Sequence, residues 1–169
     1  MTASLSRPDE LIDRLQNAVA GMLAEIDRLP STDAYVSSAT DAWSAAEILA
    51  HLVEMLPYWA DQARAVAARA QDGEPFGRTH DDPQRIAAVR DHARDDLQEL
   101  AIGVCTSLDG SVATLRAIPH GDWQRSGRHA RRGEMSVTQI VEQFLSEHAE
   151  EHAQQLRVVV AEHHTMDHR

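Results

Sequence analysis

The chain has 169 residues, enough for one domain whose core needs neither disulfides nor a structural metal for stability. Its 16 basic and 27 acidic residues give a formal net charge of −11, which repels a phosphate backbone and an anionic bilayer and so excludes nucleic acid and membrane as partners. Every basic residue is arginine, a coding preference that carries no weight for mechanism.

Apolar residues recur every three or four positions, and glycine, proline and aromatic residues are scarce, so the chain reads as nearly all helix in a single domain over 1–169. The opening MTASLSRPDELIDRL has no apolar h-region, and no stretch approaches the ~18 consecutive apolar residues of a membrane span. A soluble, cytoplasmic protein is the expectation. The first helix is predicted over about 9–29, with Leu11, Leu15, Val19, Met22, Ile26 and Leu29 in one stripe and Pro30 as its stop. A Ser-, Thr- and Asp-rich connection follows to Ala42. The second helix is predicted over about 44–71, opened by Ser44 as N-cap with Glu47 completing a Ser-x-x-Glu capping box. Ile48, Leu52, Met55, Trp59 and Val66 mark its buried face, and Pro57 predicts a kink or local break.

Residues 71–82 read as a second long connection. From Pro83 the spacing Ile86, Val89, Ala93, Leu97, Leu100, Val104, Leu108, Val112, Leu115 holds helical period through Asp109-Gly110, which predicts one long third helix over about 84–117. Within it, Ile102 and Val104 beside the single Cys105 point to a buried small hydrophobe rather than a nucleophile. Ile118-Pro119 ends the helix, and a Gly- and Arg-rich loop leads to a fourth over about 136–163, with Ser136 as N-cap and Gln139 at the capping-box position. Four helices with some dozen-residue loops suit an all-α four-helix bundle with at least one crossover, in which ligand sites are built from inward-facing side chains.

Glu147-His148-Ala149-Glu150-Glu151-His152 sets two imidazoles four residues apart, one turn apart on one helix face, beside Leu145 and Leu156. Such a pair can hold one metal at the ~2.0–2.1 Å that zinc prefers, although two surface histidines would show the same spacing. His51 in the second helix follows Glu47 by one turn and lies three residues from Ile48 on the inner stripe. A lone histidine there is more often a hydrogen-bonded core residue. Three inward imidazoles on two helices, however, leave several donors and acceptors in need of partners. His51, His148 and His152 are therefore the candidate metal ligands, and the other seven histidines, in loops, on polar faces or in the C-terminal tail, read as solvated. His148 to His152 also satisfies the His-x-x-Glu-His pattern of a protease family; no larger catalytic domain surrounds it, and that reading is set aside.

Trp43-Ser44-Ala45-Ala46-Glu47-Ile48-Leu49-Ala50-His51-Leu52 is similar to the Trp-Ser-x-x-Glu-x-x-x-His-Leu opening of the second helix in the DinB/YfiT-like superfamily. Gly133-Glu134-Met135-Ser136-Val137, leading into Glu147-His148 and His152, resembles the same family's last helix, so the resemblance covers most of the chain. It implies a bundle with up-down-down-up connectivity, a divalent metal held by His51, His148 and His152, and a homodimer. The family's name implies no contact with DNA. Relatives include transferases and isomerases that use mycothiol or bacillithiol. No additional C-terminal domain like that of the mycothiol-dependent maleylpyruvate isomerases is expected.

Three neutral imidazoles leave a coordination position open, as in a catalytic site. A water could fill it and become a hydroxide for hydrolysis, or a low-molecular-weight thiol could fill it as thiolate; the resemblance favours the thiol. Glu147, Glu150 and Glu151 are candidate hydrogen-bond partners of the imidazoles, with Glu147 and Glu151 preferred, and the alternative is a solvated acidic face. Arg125, Arg128, Arg131 and Arg132 cluster before the fourth helix; Arg128 and Arg131 are the candidates to receive an anion at the pocket mouth, or the loop pairs with surface acids. Zinc, nickel, iron and manganese all suit imidazole ligation. The functional expectation is a metal-dependent thiol S-transferase or hydrolase acting on a small molecule, against a non-catalytic bundle with a structural, sensing or stress-related role.

Overall fold

The computed structural model describes residues 8–37, 42–69 and 71–166. Helix α1, Pro8–Ile26, begins with proline in its first turn followed by Asp9 and Glu10, where anionic side chains oppose the positive helix terminus. Its predicted stripe is buried, Leu29 included, although the α-helix itself ends at Ile26. After it Asp27 N–H still bonds the Leu23 carbonyl four residues back, and the chain then tightens into two i→i+3 bonds, Arg28 N–H to the Glu25 carbonyl and Leu29 N–H to the Ile26 carbonyl.

Helix α2, Ala45–Ala67, opens with the full capping box: Ser44 accepts from Glu47 N–H, and the Glu47 carboxylate accepts from Ser44 N–H at 2.7 Å. It is the central helix, in contact with the helical residues 83–92, 97–116, 137–141 and 147–166. Pro57 lies inside it, and of the kink or local break expected there the break is absent, because the helix runs unbroken to Ala67. The proline ring faces solvent, and the Val53 carbonyl, which an ordinary residue 57 would bond, accepts instead from the Ser107 hydroxyl at 3.0 Å.

The single third helix expected from the apolar period is two helices, α3 (Pro83–His92) and α4 (Leu97–Arg116). The Asp96 carboxylate accepts from Gln98 and Glu99 N–H at 2.9 and 3.1 Å and starts a new helix there. Ile86, placed on the predicted apolar stripe, is 50% exposed as a result. Cys105 is exposed rather than buried; its neighbour Val104 is buried, but successive helical residues point about 100° apart.

Residues 74–76 and 126–136, read as loops in the sequence, form a three-stranded sheet. Strand β1 (Glu74–Phe76) pairs parallel with β2 (Ser126–His129), and β2 pairs antiparallel with β3 (Gly133–Ser136). Gly127 fits between Phe76, Val66 and the Glu74 carbonyl where a Cβ would lie 2.8–3.1 Å from them. Ser136 then caps a helical run made of α5 (Val137–Val141), a π-turn (Glu142–Ser146) and α6 (Glu147–Met166). The buried Ser146 hydroxyl donates to the Leu11 carbonyl at 2.8 Å and ties the π-turn to α1.

The long helices α1, α2, α4 and α6 make the expected four-helix bundle, with α1 against α6 and α2 against α4. A continuous apolar core runs through all four, from Leu11 and Leu15 through Leu52 and Met55 to Val104, Leu115, Leu145 and Leu156. No helix of the described residues is long and apolar enough to cross a membrane.

Candidate metal centre

The bundle brings together the three histidines singled out in the sequence. The capped start of α2 fixes His51, and α6 carries His148 and His152 one turn apart. Their Nε2 atoms converge: His51 to His148 is 3.1 Å, and His148 to His152 is 3.1 Å. Trp43, just before α2, walls the cluster, stacked on His152 at 5.8 Å between ring centres and edge-on to His51 at 5.0 Å.

Burial keeps these rings neutral. It pushes His51 down to about 2 and His148 to about 4, with the neighbouring imidazoles adding to the effect, and it lowers His152 as well. The Gln155 Oε1 accepts at 3.0 Å from His152 Nδ1, which places the proton there and turns the Nε2 lone pair inward. Where two of these Nε2 lone pairs face each other at 3.1 Å they repel unless something positive, a ring proton or a cation, lies between them. Two nitrogens bound to a tetrahedral ion at ~2.0–2.1 Å stand about 3.3–3.4 Å apart, so the cluster fits one divalent cation with little adjustment. His51 Nδ1 is buried with no hydrogen-bond partner among the described residues.

The expected carboxylate partners separate by position. Glu151 comes within 3.6 Å of His148 Nδ1, and Glu147 lines the adjoining pocket, whereas Glu150 is taken by Arg14 through a two-pronged bond at 2.9 and 2.8 Å. Gln155 was not singled out in the sequence, because its role follows only from the His152 ring orientation.

A cavity of about 380 Å³ opens beside His51 and His148, floored by Trp59 and Phe144, which stack at 4.0 Å. Of the two arginines expected at its mouth, Arg131 lines it and Arg128 does not; Arg128 borders a different surface hollow. The reason is strand alternation on β2: His129 faces the aromatic floor, so Arg128 beside it faces away. Arg125 pairs with Asp72 at 2.8 Å and the Arg69 carbonyl at 2.6 Å, a structural tie rather than an anion site. Arg78, Arg85 and Arg132 join Arg131 in the cavity wall. Arg78 and Arg85 come from the β1–α3 connection and the first turn of α3, where no sequence pattern marks them.

Two histidines read as solvated are buried. His129 is 4% exposed, bonds the Arg78 carbonyl through Nε2 at 3.0 Å and accepts from Arg132 N–H through Nδ1 at 3.3 Å, so it joins two arginine-bearing loops. Gly77 makes room for it: at φ +77° a Cβ there would lie 2.9 Å from the His129 ring. His163 is also buried and bonds the Val36 carbonyl at 3.3 Å. His80, His92 and His120 are exposed, while the His164 side chain and His168 lie outside the described residues.

The sequence profile of the DinB superfamily matches residues 14–156. Among solved structures the chain is similar to YfiT from Bacillus subtilis, a probable metal-dependent hydrolase with an unusual four-helix bundle topology. The TM-score is 0.76 at 13% identity, covering 94% of this chain and 90% of that one. It is also similar to the mycothiol-dependent maleylpyruvate isomerase, with a TM-score of 0.66 at 9% identity, covering 93% of this chain. A histidine-to-alanine mutant of that isomerase matches with a TM-score of 0.65 at 8% identity and 93% coverage of this chain. This chain spans 60% of the isomerase's length in both cases. At these identities the likeness shows the fold. No curated protein matches the sequence.

Proposed function

Because the chain belongs to the DinB superfamily, we propose that it is a metal-dependent enzyme, a mycothiol- or bacillithiol-type S-transferase or a hydrolase, acting on a small molecule. The observation that carries the reading is the convergence of His51, His148 and His152 Nε2 at the wall of a cavity of about 380 Å³. Sites of this size and concavity are the usual place for small-molecule chemistry. The donor set is neutral and imidazole-only, which suits zinc, nickel, iron or manganese.

A divalent ion held there would supply the positive charge that lowers the pKa of a water or thiol nucleophile. The protein's own residues do the rest. Gln155 fixes the His152 tautomer, and Trp43 holds the His51 and His152 rings. Glu147 and Glu151, both in the cavity wall, are the carboxylates placed to accept the proton that a water or thiol gives up. Trp59 and Phe144 exclude water from the cavity floor.

Titration of freshly purified protein with mycothiol and bacillithiol, followed by calorimetry, tests the thiol half of the proposal. Saturable thiol binding that disappears in His148→Ala supports the transferase. Absence of binding together with ester or amide hydrolysis that needs the metal supports the hydrolase. Metal loss in His148→Ala that also unfolds the protein, with neither activity, points to a structural metal and overturns the enzymatic reading.

A further inference from the structure

Three arginines without an acidic partner line one cavity of a chain that has 27 acidic and 16 basic residues. Elsewhere Arg14 pairs with Glu150, Arg64 with Asp61 and Arg125 with Asp72, while Arg94, Arg116, Arg128 and Arg157 have no carboxylate within 4.0 Å among the described residues and are not gathered in this cavity. Arg78, in the same cavity wall, is held by the Glu54 carboxylate through two bonds of 2.6 Å. Arg85, Arg131 and Arg132 differ. Among the described residues no carboxylate lies within 4.0 Å of any of the three.

Arg85 is the most informative. It is half-buried, and burial together with the nearby Arg78 charge lowers its pKa, while the Glu54 and Asp82 carboxylates, beyond ion-pair distance, oppose the shift without cancelling it. Only its Nη1 is engaged by the protein, donating to the His80 carbonyl at 2.9 Å. Nε and Nη2 are free among the described residues and are not enclosed by protein. The guanidinium lies 5.5 Å from the Trp43 ring centre, and its charge is felt by His51, His148 and His152 alike, so it stands close to the histidine cluster. Arg132 spends one nitrogen on Gln143 Oε1 at 2.7 Å and sits 5.2 Å from the Phe144 ring centre. Arg131 makes no side-chain bond among the described residues, but its loop is fixed by His129.

The cavity is therefore polarised by element. Glu147 and Glu151 stand on α6 beside the histidines, whereas the unmatched guanidiniums come from α3 and the β2–β3 turn. Guanidinium forks with free N–H groups, Arg85 half-buried and Arg131 and Arg132 exposed at the rim, are a binding site for a planar or tetrahedral oxyanion. The apolar part of the lining is the Trp59–Phe144 stack.

We propose that this cavity binds a small organic oxyanion, a carboxylate or phosphate ester, with its anionic group held by Arg85 and the Arg131–Arg132 turn and its apolar part against Trp59 and Phe144. This rests on the functional reading above for its connection to chemistry, but the anion site is built from residues other than His51, His148 and His152.

The test is isothermal titration of the purified protein with benzoate, phenyl phosphate, benzamide and inorganic phosphate, with metal content measured on the same samples. Benzoate or phenyl phosphate should bind, and benzamide, of similar shape and no charge, should not. Arg85→Gln should weaken the bound anion about tenfold or more, the loss of a charge-assisted hydrogen bond, with metal content unchanged. Arg131→Gln, at an exposed position, is the second variant and keeps the test intact if Arg85→Gln fails to fold. Equal binding of benzamide and benzoate would overturn the proposal. So would anion binding indifferent to both arginine variants but lost in His148→Ala, because the anion would then be held by the metal alone. Binding of inorganic phosphate with neither aryl anion would overturn the organic part of it. Arginine-dependent binding by protein that takes up no metal would keep this site and sink the metal-enzyme reading; metal-bearing protein with no arginine-dependent binding would do the reverse.

Discussion

Replacing Ser107 by alanine tests how α2 stays continuous past Pro57. Proline at 57 has no N–H for the Val53 carbonyl four residues back, and the Ser107 hydroxyl of α4 fills that need at 3.0 Å. Without the hydroxyl, a partly buried carbonyl at the α2–α4 contact has no protein donor. Leaving such an acceptor unmet costs about 1–3 kcal/mol; because the bond is only partly buried, the lower half of that range, about 1–2 kcal/mol, is expected. Urea unfolding of wild type, Ser107→Ala, Pro57→Ala and the double variant measures it directly. Pro57→Ala restores a backbone N–H for Val53, so Ser107→Ala should cost less in that background, with a coupling of about 1 kcal/mol. If the serine change costs the same in both backgrounds, or under about 0.3 kcal/mol in the wild-type background, the Val53 carbonyl is not what Ser107 serves and α2 is held past Pro57 by something else.

Three other expectations follow from single residues. Gly110 lies inside α4 with nothing within 4 Å of the place a methyl group would occupy, so Gly110→Ala should raise stability by about 0.5–1 kcal/mol in the same unfolding assay; a loss would mean that the site is not open helix. In metal-free protein, His51 has its pKa lowered from 6.5 to about 2 by folding, so it contributes stability that is complete above pH 6.5 and lost as the pH falls toward its folded value. The unfolding free energy should fall steadily between about pH 6.5 and 4, by up to about 1.4 kcal/mol per pH unit for this ring, and the slope should be shallower by that share in His51→Asn, where His148 and His152 keep theirs. An equal slope in both would remove His51 as the cause. Gln155→Leu deletes the acceptor for His152 Nδ1 and should weaken zinc binding about 10–100-fold in a chelator competition; unchanged affinity would show that the bond does not set the ring's tautomer.

The histidine cluster was legible because its signals are local. His148 and His152 share a face by the four-residue spacing alone, and Ser44 with Glu47 fixes where α2 starts and hence which way His51 faces. The α3–α4 break was not legible, because Val89, Ala93 and Leu97 keep helical period straight across Asp95-Asp96. An aspartate there can continue a helix or cap the next one, and packing selects the cap. The sheet escaped for a different reason. Its strands have three or four residues, too few to show a period of two, and β1 finds β2 some fifty residues away. With the sheet went His129, whose burial comes from Trp59, Phe76 and Phe144 on separate elements. Arg85 was hidden in the same way, since an unmatched cation is defined by the neighbours that are missing. Cys105 misled because apolar neighbours in sequence occupy other faces of α4.

All of the proposed chemistry depends on one divalent ion at His51, His148 and His152, and the direct measurement is metal content by elemental analysis of freshly purified wild type and His148→Ala, each checked for helical fold by circular dichroism. About one ion per chain in wild type and a small fraction of that in a folded His148→Ala is the predicted result. Equal metal in the two proteins, or a wild type that takes up no zinc, nickel, iron or manganese even when offered it, would contradict the metal centre itself.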